Sequence, residues 1–452
     1  MTLLNELSAE VCRRARMSRD PRFDGRFFVA VKTTGIFCRP ICPANLPKEE
    51  NVEYFSSQAL AVSAGYRPCL RCRPESAPHS WAWKGAETTF LRALTLIEQG
   101  ELDGSLETLA SRLGISDRYL RQLFQRHLGM PPKQYAQIQQ LMFAKQLLHT
   151  SQISITEVAY ASGFQSTRRF NDAFQKLFRL TPTQVRRERA ALPSRNHLSL
   201  AFRGPFDWAH MLDFYRLRAI EGMELVDEQS YQRHFVLGEG TGWFKASMAQ
   251  SHLDIEFEME RLSDLRHLVA RLRRMFDLDA DLISIEAHLE QLAPGLVRRT
   301  GIRIPGVWNA WEAGVRAVLG QQVSVKAAIG QLNLLVSTLA ASEGSIRYFP
   351  TPEQVQMSDL SFLRMPERRK ETLKRLADYV RLHPMDSPMA WLSLSGIGPW
   401  TVDYAQLRGE SRSHCFLTGD LIVKKALAKF PQLTAESVAP WGSYATFHCW
   451  SH

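Results

Sequence analysis

Apolar residues recur at two different periods along this chain, and the changes of period divide it. From about Thr88 to Ala190 they return every three or four positions, with short glycine-marked turns between runs, the spacing that gives a helix one buried face. That block is predicted to be all helical. Near Pro193-Ser194 the pattern switches to alternation, as in Leu198-Ser199-Leu200-Ala201-Phe202 and Leu253-Asp254-Ile255-Glu256-Phe257, the signature of strands with one covered face. A small α+β domain is expected there, closing on an amphipathic helix over residues 265–276. Beyond about Pro294 the helical period returns and runs to the end, punctuated by Gly396-Ile397-Gly398-Pro399. Residues 1 to about 80 carry a cysteine cluster and run out in Arg73-Pro74-Glu75-Ser76-Ala77-Pro78, which reads as a linker. No array of short repeats is visible, but residues 105–129 and 153–178 read as two versions of one helix-turn-helix unit.

Composition narrows the partners. A chain of 452 residues with 45% hydrophobic content has length for three or four domains, each with its own core. A formal charge of +10 with a pI near 9.3 favours a polyanionic partner. The opening Met1-Thr2-Leu3-Leu4-Asn5-Glu6-Leu7 lacks a basic segment followed by an apolar run, and nowhere is there an apolar stretch of the roughly 18 residues that a membrane span needs. The expectation is a cytoplasmic, nucleoid-associated bacterial protein without a membrane partner. Seven cysteines, an odd number, argue against a disulfide framework.

Four of those cysteines are clustered. Cys38-Arg39-Pro40-Ile41-Cys42 and Cys69-Leu70-Arg71-Cys72 pair soft ligands at spacings that suit one tetrahedral zinc ion held by Cys38, Cys42, Cys69 and Cys72. A purely structural zinc knuckle is one reading. A reactive site is the other, because four thiolates around a dication retain net negative charge and a reachable sulfur stays nucleophilic. The stretches Phe28 to Pro40 and Gly65 to Cys72 resemble the metal-binding domain of the Ada family of methylation sensors over nearly all of residues 1–75. The resemblance implies that Cys38 accepts a methyl group from a DNA methylphosphotriester and that the lost charge tightens DNA binding. Cys42-Pro43-Ala44-Asn45 departs from some relatives in lacking arginines in this loop.

In the helical block, Ser105 opens one helix, and Leu113-Gly114-Ile115-Ser116 makes a turn and caps the next, which carries Arg118, Arg121 and Gln122. The same grammar recurs from Ile155 through the turn at Gly163-Phe164 to a helix starting near Ser166 with Arg168, Arg169 and Asn171. Arginine reads guanine, and Asn or Gln reads adenine, in a major groove. A helical bundle with solvated arginines is the alternative. The tandem, with Phe174-Gln175-Lys176-Leu177-Phe178-Arg179-Leu180-Thr181-Pro182, resembles the AraC-family DNA-binding domain, which implies promoter DNA and RNA polymerase as partners.

Leu394-Ser395-Gly396-Ile397-Gly398-Pro399-Trp400-Thr401 is a tight hairpin whose glycines, Gly396 and Gly398, let backbone N–H groups approach a phosphate, while exposed carbonyls could hold a cation. Asp420, before a helix-like run, would alone be read as an N-cap. Together the hairpin and the spaced aspartate resemble the helix-hairpin-helix DNA glycosylases. The segments Gly314 to Val325 and Pro440 to Ala445 are similar to the AlkA-type 3-methyladenine glycosylases, a likeness running from about residue 198 to the end. It implies that Asp420 supports cleavage of the N-glycosidic bond, that Gln321 or Gln322 is the wedge filling the gap left by the extruded base, and that Phe214, Trp400, Tyr404 and Trp450 form the pocket receiving it. Trp400 stands where bifunctional relatives carry a Schiff-base lysine, so no strand cleavage is expected. Cys415 and Cys449 are too few for an iron–sulfur cluster. Gly419 and Leu421 flank Asp420 where close relatives often have an acid and a tyrosine.

The expected architecture is multidomain and mainly α: a small zinc α+β domain (1–80), a tandem helix-turn-helix domain (85–190), an α+β domain (198–285) and an all-α helix-hairpin-helix glycosylase domain (286–452). The function implied is DNA alkylation repair by a monofunctional 3-methyladenine glycosylase acting on double-stranded DNA, joined to a methyl-accepting zinc-thiolate activator of an adaptive response. The alternative is a transcription regulator whose glycosylase-like half only recognises damage.

Overall fold

The computed structural model describes residues 8–20, 23–72, 74, 81–98, 100, 102, 105–187, 196–339, 342–384 and 386–451. Of the proline-rich stretch at 73–78 only Pro74 falls among them, and Met1 to Leu7, Pro193 and Ser194 fall outside. The chain divides into two compact units, Met1–Gln139 and Gln140–His452.

In the first unit a four-stranded sheet is ordered Val52–Phe55, Phe28–Val31, Ile36–Cys38, Arg67–Pro68. Its central strand shows why the alternation matters. Phe28 and Ala30 join one apolar cluster with Phe37 and Ala61, while Val29 joins another with Cys12, Ala15 and Phe27, so both faces are covered. The helices Trp81–Glu98, Leu106–Arg112 and Asp117–Leu128 follow, sharing a core of Phe90, Ile97, Leu109, Leu123 and Phe124. Ser105 and Ser116 cap two of these helices by accepting from Thr108 N at 3.1 Å and Tyr119 N at 3.2 Å.

The helix Pro132–Thr150 crosses the division. In the second unit, Ile155–Ala161 starts on a reciprocal Ser154/Glu157 cap, and Thr167–Phe178 and Pro182–Arg187 follow. An antiparallel five-stranded sheet then runs in the order His197–Ala201, His252–Met259, Gly240–Met248, Ser230–Leu237, Glu224–Val226. Leu200, Leu253, Ile255, Phe257 and Phe244 are buried in one core with Leu268, Leu272 and Phe276, on or next to the helix Leu265–Met275, each side chain contributing roughly 1.5–3 kcal/mol.

Among the described residues the later elements are helices apart from a ribbon, Ser342–Glu343 with Ile346–Arg347, that turns at Gly344 with φ +63°. This small departure from the all-α expectation arises because strands of two residues, Ser342–Glu343 and Ile346–Arg347, are too short to show a period. Helices Ala310–Gly320 and Pro399–Glu410 cross closely: a Cβ on Gly409 would lie 2.6 Å from Ala310 Cα. That contact brings the end of the first helix beside the start of the second, where the hairpin lies.

A buried ionic network ties the sheet to this pair of helices. Arg233 meets Glu224 at 2.9 Å and Glu312 at 2.5 Å, and Arg316 meets Glu224 at 3.1 Å and Glu312 at 2.8 Å, all four side chains being at most 6% exposed. Burial alone would raise the Glu312 carboxyl, but the two guanidiniums carry it down to about 2.

Candidate functional site

Two clusters of chemistry are built, one in each unit. In the first, strand Ile36–Cys38 pairs in parallel with Arg67–Pro68, so Cys38 and Cys69 follow side by side, and Cys69 N donates to Phe37 O at 3.0 Å. A turn closed by Cys42 N to Arg39 O at 3.1 Å returns Cys42, and Arg39 N donates to Cys72 Sγ at 3.3 Å. The four cysteine ligand atoms lie within 4.8 Å of one another. Crowding is evident in their acidity. A hydrogen bond to Cys72, then burial and the neighbouring thiols, drive the Cys38 thiol far up, while Cys72 falls to about 6 chiefly through its bond with Cys38. Such a set shares protons until a cation displaces them. Asp24 and Arg39 form an ion pair behind the loop.

The helix-turn-helix side chains Arg118, Arg121, Gln122, Arg168, Arg169 and Asn171 are all exposed. Arg121 is held to Asp117 Oδ2 at 2.9 Å on its own helix.

In the second unit Phe214, Trp400, Tyr404, Trp450 and Asp420 line one cavity of about 390 Å³, although they come from four separated stretches of chain. Trp400 and Tyr404, one turn apart, stack with centroids 5.3 Å apart at 27°, and Phe214 faces Trp450 at 6.3 Å and 15°. Asp420 caps the helix Leu421–Lys429: its Oδ1 accepts from Ile422 N at 2.8 Å and Val423 N at 3.2 Å, and also from Trp450 Nε1 at 3.1 Å. Three donors hold one carboxylate oxygen, and Oδ2 makes no hydrogen bond among the described residues.

The hairpin lies between a 3-10 segment, Pro388–Ser393, and the helix Pro399–Glu410. Gly396 has φ +94°, and a Cβ there would sit 2.1 Å from Thr372 Oγ1, so no other residue fits. Gly398 caps the helix without a side chain. The two glutamines separate. Gln321 Nε2 donates to Gly396 O at 3.1 Å and to Thr401 Oγ1 at 3.2 Å, which ties it to the hairpin. Gln322 is exposed at φ +57°, at the tip of the turn between Ala310–Gly320 and Val325–Leu339.

Sequence reasoning missed Arg218 and Phe447. Arg218 lies 3.7 Å over the Phe214 ring, donates to Phe214 O at 3.2 Å, and is lowered to about 10 by burial. Phe447 packs edge-on against Trp450 at 4.9 Å. The spacing of Phe447 and Trp450, about one turn on a single helix, was an available signal, whereas Arg218 falls just past the end of the helix Trp208–Arg216.

Three family models match this chain: the metal binding domain of Ada over residues 11–75, a helix-turn-helix domain over 109–188 and the AlkA N-terminal domain over 197–309. The "Probable bifunctional transcriptional activator/DNA repair enzyme AlkA" of Mycobacterium tuberculosis (strain ATCC 25618 / H37Rv) is 34% identical over 475 residues, covering 98% of this chain and 96% of that protein. The chain belongs to this bifunctional AlkA family. DNA-3-methyladenine glycosylase 2 of Escherichia coli (strain K12) is 33% identical over 277 residues, spanning 56% of this chain and 96% of its own. The bifunctional transcriptional activator/DNA repair enzyme Ada of the same organism is 35% identical over 170 residues, 38% of this chain and 47% of its own length. The Ada match encloses the four cysteines, and their donor set suits one zinc ion. Among the described residues no helix is long and apolar enough to cross a membrane.

Proposed function

We propose that this AlkA-family chain is a DNA-alkylation response protein in which the second unit hydrolytically releases alkylated bases, 3-methyladenine among them, from duplex DNA. The observation that carries the reading is the single cavity shared by Asp420 and the rings of Phe214, Trp400, Tyr404 and Trp450. The extruded base stacks on the indole and phenol faces, which favour a cationic methylated ring by about 1 kcal/mol. As the bond from C1′ to the ring nitrogen breaks, the base leaves with the electron pair and positive charge develops on the sugar. Asp420, fixed through Oδ1, stabilises that charge with its other oxygen and orients the water that adds to C1′. Gln322 is the wedge, since Gln321 is spent on bracing the hairpin. The N–H groups behind Gly396 and Gly398 receive a phosphate, and carbonyls of the same turn would hold a cation. With Trp400 where a lysine would form a Schiff base, the product is an abasic site and the strand stays intact.

In the first unit Cys38 is the methyl acceptor. Its sulfur attacks the methyl carbon of a phosphotriester, the C–S bond forms as the C–O bond breaks, and the phosphodiester oxygen leaves with the electron pair. Zinc, when bound by Cys38, Cys42, Cys69 and Cys72, keeps the sulfurs deprotonated. Charge lost at Cys38 strengthens attraction to the DNA backbone, and the exposed side chains Arg118, Arg121, Gln122, Arg168, Arg169 and Asn171 then read a promoter at which RNA polymerase is the partner.

The test is release of free base from a duplex containing N-methylated purines, with strand scission measured separately, for the native protein and Asp420→Asn. Release by the native protein only, without enzymatic scission, supports the reading. Binding without release by the native protein would replace it with a damage-recognising regulator.

A further inference from the structure

The turn that joins Ala310–Gly320 to Val325–Leu339 holds two adjacent amides in unequal circumstances. Gln321 caps the first helix and is held by two hydrogen bonds to the hairpin segment. Gln322, in the left-handed region at φ +57°, projects from the tip, is exposed, and makes no hydrogen bond to any described residue. On both sides of it the chain returns to the cavity, through Gly320 before and Val323 and Val325 after. A base drawn into that cavity leaves its gap in the duplex beside Gln322. A wedge whose only task was to fill the gap would be apolar, because the interior of a base stack is dry and an unpaired amide there costs about 1–3 kcal/mol. A glutamine is accommodated when its C=O and NH2 find partners, and the orphaned opposite base offers them. Thymine presents an N3–H donor beside carbonyl acceptors, and cytosine an amino donor beside a ring-nitrogen acceptor. One carboxamide, rotated about its last bond, meets either edge with two hydrogen bonds.

We infer that Gln322 reads the base opposite the lesion, so that the rate of base release depends on the hydrogen-bonding edge of that opposite base. The inference rests on the glycosylase reading and adds a specificity-determining residue that acts outside the base pocket. Its consequence is a check on context: a lesion facing a pyrimidine is processed with the wedge satisfied, and one facing a gap or a non-polar residue leaves the amide unpaired.

Single-turnover release of N7-methylguanine from two duplexes tests it, one with thymine opposite the lesion and one with difluorotoluene, which keeps the shape of thymine but lacks its hydrogen-bonding strength. The full-length protein and Gln322→Met are compared by each protein's own ratio of rates on the two duplexes. Ease of extrusion and any loss of folded protein cancel in the ratio of the two ratios. The native thymine-to-difluorotoluene ratio is expected to exceed that of Gln322→Met by about tenfold, as for two modest hydrogen bonds. Equal ratios, with base released by both proteins, would overturn the inference and leave the glycosylase intact. Absence of release by the native protein on either duplex would overturn the glycosylase reading and the inference with it.

Discussion

The cysteine cluster takes its four sulfurs from Cys38 to Cys72, held by the pairing of two short strands and one turn. The aromatic pocket instead draws Phe214, Trp400, Asp420 and Trp450 from stretches far apart in the chain, and depends on glycines, caps and a buried ionic network to bring them together. The contrast says where each site is vulnerable. A cluster made by local backbone needs a cation to hold mutually crowded thiols, whereas a pocket made by distant elements needs its scaffold and none of its lining side chains is a ligand of that zinc site. Damage to one should therefore leave the other working.

The largest expected effect follows from removing zinc. A structural zinc ion contributes on the order of 10 kcal/mol to its fold, so a strong chelator should abolish amide-exchange protection across Phe28–Val31 and Ile36–Cys38 while base release continues within about twofold. Loss of both together would dissolve the contrast. Next in size is Glu312→Gln, which leaves the buried Arg233 and Arg316 to share the one carboxylate of Glu224. A cost of about 3–5 kcal/mol is expected, read as early thermal unfolding of the second unit and loss of base release, with zinc content unchanged. Trp400→Ala should then slow release of cationic methylated bases by about tenfold, measured under single-turnover conditions, with a smaller effect on neutral ones.

The most gradual effect expected is a slope with pH. Asp277, buried between Tyr444 Oη at 3.0 Å and Ile304 N at 3.2 Å, is raised by burial to about 7 from an ordinary 3.8. The folded protein thus holds an extra proton between those values, and stability falls as pH rises through that window and levels off above it. Glu312 works in the opposite sense, its contribution being lost only as pH falls from 4.5 toward 2. Thermal scans from pH 5 to 8 should show a shallower decline for Asp277→Asn than for the native chain; identical slopes would rule out Asp277 as the source.

The same contrast explains what could be read from residues alone. The cysteine spacings, the capping serines Ser105, Ser116 and Ser166, and the strands around Leu198 and Leu253 are local signals, and each appears in the fold where its pattern placed it. The pocket was reached through resemblance, since a lone Trp400 or Trp450 carries no period of its own. Arg218 escaped because an arginine shortly after Phe214 looks like any solvated residue, and its burial comes from elements far along the chain. The different employment of Gln321 and Gln322 could not be seen either, because it depends on the carbonyl of Gly396 and the hydroxyl of Thr401.

The central claim is that one chain runs two independent chemistries on alkylated DNA, one at Cys38 and one at Asp420. A duplex carrying both a methylphosphotriester and N7-methylguanine, incubated with the native protein, Cys38→Ser and Asp420→Asn, tests it through the intact mass of the protein and the free base released in the same sample. The account predicts that the native protein gains one methyl group and releases base, that Cys38→Ser releases base without gaining mass, and that Asp420→Asn gains mass without releasing base. A native protein that released base but gained no methyl would make the zinc site structural, and one that gained the methyl but released no base would contradict the assignment of Asp420.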